Sequence, residues 1–212
     1  MRADQLMVDV VSLNVFRCPG SERVWCTRSS GGVAEGDRRR PVDGLRVNVK
    51  SVEFEAGLRD WSGFRTMTGD ASFVPVCFME LVSQGSEDDA MDHYRDLENS
   101  VFVQGQLFEA AEPTMVLAMA ALASDPPPHV RTVVLELIFQ IANGVAHGDV
   151  IGRGDLGLVQ RRRDSARRGI LVLHRGSLRK TGEQALDVVD LIEGDRSRPA
   201  GFRDVAARSW RS

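Results

Sequence analysis

Apolar positions in the middle of the chain recur at helical spacing. Met91, Tyr94 and Leu97 fall three apart, which places them on one helix face. Val133, Val134, Leu137, Ile138 and Ile141 give the strongest such signal and predict a helix over 130–142, stopped by Asn143-Gly144. Upstream, 72–82 predicts a helix with a Ser72 cap and Pro75 in its first turn, ended at Gly85. Ser86-Glu87-Asp88-Asp89 then opens the next helix, its acids at the positive end of the dipole. The apolar run 101–110 is read as part of a second helical hairpin, with Pro113 early in the helix 114–123. Downstream, Leu156, Leu158, Val159, Ala166, Ile170, Leu171 and Leu173 lie along one long amphipathic segment reaching Arg175. A last helix, 181–192, starts with a capping-box pattern at Thr181.

The two ends lack this order. Residues 17–48 carry Pro19-Gly20, Ser29-Ser30-Gly31-Gly32, an Arg38–Arg40 run before Pro41, and Asp43-Gly44, all turn or breaker signals. A short strand is expected within 8–16. The division expected is a loosely attached extension over 1–50, a helical domain over 51–194 and a frayed tail over 195–212. The extension is read either as a product of an upstream start codon or as a segment docked through Val8, Val10, Leu13 and Phe16.

Helix pairs with short loops that begin on Pro or an acid, with no strands between them, are the pattern of stacked hairpins. Residues 60–62, 71–82 and 101–113 carry a family likeness. Gln104, Gly105, Phe108, Ala110 or Ala111, and Pro113 match a Gln-Gly-x-x-aromatic-x-Ala-x-x-Pro segment. Over about 55–193 the chain resembles bacterial HEAT-repeat proteins. The resemblance implies an all-α fold, a HEAT-like α-solenoid of about three to four stacked helical hairpins. It also implies a binding or scaffolding surface rather than a reaction.

Charge sharpens this picture. The net charge is −3, yet residues 51–152 hold four basic and sixteen acidic side chains, while 153–212 hold fourteen basic and eight acidic. Arg supplies nearly all the positive charge, a bias that suggests a GC-rich, actinobacterial genome. No apolar stretch approaches the roughly 18 residues of a membrane span, so a cytoplasmic protein without membrane contact is expected. Cys18, Cys26 and Cys77 make no disulfide framework and show no metal spacing, Cys77 reading as a small core hydrophobe. His93, His129, His147 and His174 fall in no ligand motif, and no nucleotide or hydrolase fingerprint occurs, so neither metal nor cofactor is expected.

Two candidate surfaces remain. Glu136 and Gln140 share a helix face, and with Glu98, Gln104 and Glu109 they would line an acidic groove if the hairpins stack. The alternative is that they serve as caps and links between hairpins. Arg161, Arg162, Arg163, Arg167 and Arg168 form a basic helix face, able to track phosphates or simply solvated. The acidic neighbourhood and the single Tyr disfavour nucleic acid. Trp61 is expected to anchor the first helix rather than to stack on a ligand. The leading expectation is a non-enzymatic module that binds a basic protein through the acidic groove. A small-molecule enzyme or biosynthetic accessory factor using the same residues comes second, and nucleic-acid binding through the arginine helix third.

Overall fold

The structure, a computed structural model, describes residues 49–179, 182–193 and 197–211, with two short strands upstream. Those strands, β1 (Phe16–Arg17) and β2 (Val24–Trp25), pair antiparallel. The rest of the expected extension, the strand over 8–16 apart from Phe16, and the Thr181 cap lie outside the described residues. Then follow α1 (Lys50–Gly57), α2 (Val74–Ser83), α3 (Glu87–Val101), β3 (Phe102–Val103), β4 (Gln106–Leu107), α4 (Ala111–Ala123) and α5 (Pro128–Asn143). After them come β5 (Val145–Ala146), α6 (Gly148–Gly152), α7 (Leu158–Arg168), α8 (Ile170–Ser177), α9 (Glu183–Ile192) and α10 (Ser197–Trp210). The fold is all-α, with a small sheet inserted between the helix pairs.

The pairing is regular. Neighbours in sequence pack as α2 on α3, α4 on α5, and α8 on α9. Second helices then stack in turn, α3 on α5 and α5 on α9. First helices do likewise, α2 on α4, and α4 on α7 and α8. One core of buried apolar side chains runs through these packed helices from Val52 to Ile192. Burial of such faces supplies the driving force, at about 25 cal/mol per Å².

Caps explain several boundaries. Ser86 Oγ accepts from the Asp89 N–H at 3.2 Å, and three acids sit in the first turn of α3. Ser72 does not cap α2: Phe73 holds the N-cap position, and Ser72 donates its own N–H to Asp70. Trp61 is buried as an anchor, its Nε1 donating to the Ala56 carbonyl at 2.8 Å.

Three further expectations are corrected. Residues 101–110 are not helical beyond Val101. Gln104 (φ 51°) and Gly105 (φ 76°) are both left-handed, and they form the two-residue turn of the β3–β4 hairpin. β5 adds to β4 in parallel, and buried Gly144 lets it approach: a Cβ there would lie 2.6 Å from Leu107 Cδ2 and 2.9 Å from the Gly105 carbonyl. The long segment to Arg175 breaks at Gly169 into α7 and α8. The expected frayed tail is a helix, α10, docked by Trp210 Nε1 on the Ser177 carbonyl at 2.8 Å and by Phe202 against His174.

Candidate functional site

A concave feature lies where the α4–α5 and α8–α9 pairs meet. A cavity of about 320 Å³ opens between the end of α4, α5, α8 and the start of α9. Leu122, Leu135, Leu171, Val172, Leu173 and Ala185 line it with apolar surface. Leu173 and Ala185 are buried, whereas Leu171 is 75% exposed and sits at the mouth. Arg131 and Arg179 set two guanidinium groups against one carboxylate, Asp125, and the exposed Arg175 joins the lining.

The polar end is built by the α4–α5 connection. α4 ends at Ala123, and Asp125 takes a left-handed conformation, φ 55°, before Pro126 to Pro128 restart the chain as α5. Left-handed backbone at a non-glycine residue is uncommon outside Asn and Asp. One carboxylate oxygen, Asp125 Oδ1, accepts from Arg131 at 2.9 Å and from Arg179 at 2.5 Å. Arg131 also donates to the Pro126 carbonyl at 2.6 Å, and its side chain is only 11% exposed. The Arg179 hydrogen bond holds the Asp125 carboxyl below the ordinary carboxylate range. Burial, then the neighbouring Arg179 charge, lowers Arg131. One desolvated guanidinium, Arg131, beside the half-exposed Arg179 leaves positive charge in surplus over the single carboxylate, which favours an incoming anion.

The predicted acidic groove divides. Glu98 and Glu136 both lie within electrostatic reach of Tyr94: burial first, then these two carboxylates, push its phenol above the ordinary range. Glu136 accepts from Gln140 at 2.7 Å and from Gln184 at 3.0 Å, so α5 and α9 are tied there. Glu109 belongs elsewhere, accepting from Arg153 and from the Arg65 backbone N–H, both at 3.1 Å. Gln104 is exposed at the hairpin turn. The five residues do not face one groove.

The arginine face is also corrected. Arg162 points inward, 1% exposed, and donates to the carbonyls of Ile141 and Gly144 at the end of α5. Burial, then the Arg163 charge, lowers it to about 10. Arg161 forms a two-pronged pair with Asp155 at 2.8 and 2.5 Å, which raises it. Arg167 caps the Ile192 carbonyl at 2.8 Å, Arg168 donates to Ser165, and Arg163 stays exposed. Four of the five therefore have intramolecular partners.

A second chemical cluster lies between α2 and α3. Cys77, His93 and Asp96 each bring one ligand-type atom within 4.8 Å of the others. The sequence shows only half of it: His93 and Asp96 are three apart on one helix face, while Cys77 joins from another helix, 16 residues before His93.

No protein-family model matches the chain, and neither a curated protein nor a solved structure matches it. No described helix is long and apolar enough to cross a membrane.

Proposed function

We propose that this chain is a HEAT-like solenoid that binds a small organic anion in the cavity between its α4–α5 and α8–α9 pairs. The solenoid reading is supported by the contacts between helix pairs, α3 with α5 and α5 with α9. The ligand reading rests on one observation: Arg131 and Arg179 converge on Asp125 Oδ1 at the polar end of an otherwise apolar cavity. A carboxylate or phosphate head would meet Arg131, Arg175 and Arg179, and a short hydrocarbon or aromatic body would lie on Leu122, Leu135 and Leu171. The role is binding rather than acid–base catalysis. Asp125 is held ionised by Arg179, which makes it a weak proton acceptor near neutrality.

Calorimetric titration with matched alkyl carboxylates and alkyl amines tests this. Carboxylates bind and amines do not; equal response to both rejects the reading. Arg179→Ala weakens the carboxylate by about tenfold or more, as expected for one charge-assisted contact.

A second reading keeps the basic protein partner but moves its surface. Glu87, Asp88 and Asp89 are exposed in the first turn of α3 and form the acidic face that remains outward. Binding of a polyarginine peptide at low salt, lost in Glu87→Lys/Asp88→Lys, is the outcome this requires.

A further inference from the structure

We infer that Cys77, His93 and Asp96 form a zinc site that pins α2 to α3. It is independent of the anion cavity, which lies on other helices.

The geometry carries the inference. One sulfur, one ring nitrogen and one carboxylate oxygen lie within 4.8 Å of one another. Around a tetrahedral zinc, with bonds of about 2.0–2.3 Å, such donors sit roughly 3.3–3.7 Å apart. Closing the cluster on an ion therefore takes inward shifts of about 1 Å, within the reach of side-chain torsions. The three donors come from two helices that pack closely along their length. Cys77 is 3% and His93 7% exposed, and Asp96 is half-buried, so the site is shielded yet reachable from the Asp96 side.

The surroundings hold the donors in place. Cys77 Sγ lies 3.5 Å from the His93 carbonyl, which keeps the sulfur against α3. The Gln84 side-chain amide is 3.1 Å from His93 Nε2 and is itself anchored on the Glu80 carbonyl at 3.0 Å. That amide nitrogen donates, so His93 Nε2 accepts and carries the lone pair a metal would take, the Gln84 contact giving way on binding. The donor set selects the metal class. Thiolate with imidazole and one carboxylate suits a borderline-soft divalent ion, which favours zinc over magnesium or calcium. Three protein ligands leave a fourth position for water. On binding, the S–H bond breaks, sulfur bonds the zinc, and the proton leaves to the buffer.

The test uses the full chain, stripped with chelator and titrated with cobalt(II), then zinc. The expected result is one cobalt per chain with a thiolate-to-metal charge-transfer band and the intense visible bands of a four-coordinate ion, both displaced by zinc. A folded chain that shows neither band overturns the proposal. Retention of the charge-transfer band in Cys77→Ala also overturns it. Asp96→Asn changes a half-buried position and leaves the apolar core intact. It should weaken zinc by about tenfold or more, with the helical circular dichroism unchanged. Unchanged zinc affinity in that variant counts against the three-donor site, whether or not Cys77→Ala folds.

Discussion

Arg162, on α7, donates to the Gly144 carbonyl at 2.6 Å, so a buried cation closes the C-terminal end of α5 from a different helix pair. Its second bond goes to the Ile141 carbonyl, and no carboxylate partner appears among the described residues. Carbonyls at a helix C-terminus carry the negative end of the dipole, which is what this guanidinium meets. Arg162→Leu leaves two buried carbonyls unpaired and should cost about 2–4 kcal/mol in urea unfolding. Arg163→Glu, on the exposed side, should change stability by less than about 0.5 kcal/mol.

Gly144 tests the sheet contact directly. An added methyl meets the Leu107 side chain and the Gly105 carbonyl well inside contact distance, so Gly144→Ala should cost about 1–3 kcal/mol. Gly57 at the end of α1 has open space around it, and Gly57→Ala should be neutral or stabilising by about 0.5–1 kcal/mol. Paired thermal unfolding curves separate the two.

Asp125 gives a pH dependence with a defined sign. Its folded carboxyl titrates below the unfolded value of about 3.9, because Arg179 and Arg131 favour the charged form. Its contribution is complete above that value and is lost as pH falls through the lower folded value. Asp125→Asn should therefore flatten the acid limb of stability below about pH 4, read by thermal unfolding across pH. In the same variant Arg131 and Arg179 are released, so alkyl carboxylate should bind several-fold more tightly at neutral pH.

Removal of α10 tests how the end of the chain is held. Arg203 bonds Asp187 and Asp190 of α9, while Trp210 and Phe202 hold α8. The Asp190 and Asp187 contacts raise the Arg203 guanidinium, but these charges are exposed enough to contribute little. A stop codon at Ser197 should lower the midpoint of thermal unfolding and speed amide exchange mainly in α8 and α9.

Helical periodicity was readable wherever one face is buried, as in α3, α5 and α9. Three local features escaped it. Gln104-Gly105 makes a left-handed turn inside an apolar run, and backbone handedness leaves no mark on hydropathy. Gly169 splits a continuous amphipathic pattern because α8 must turn to meet α9. α10 is Arg-rich, and only its contacts with α8 and α9 distinguish it from a solvated tail. Sites were less legible than helices. Arg162 reads like its neighbours until the end of α5 is set against it. Glu109 and Glu136 share a charge but lie in different networks. Asp125, Arg131 and Arg179 are brought together by the stacking of pairs, over a separation of 54 residues between the outer two.

The cavity has walls from two successive helix pairs, α4–α5 and α8–α9. An occupant there fits only while those pairs are stacked, so each bound molecule lowers the frequency with which α8 and α9 lift away. Cellular proteases cut chains during such openings. If the proposed anion binds there, its presence should slow proteolysis of the chain.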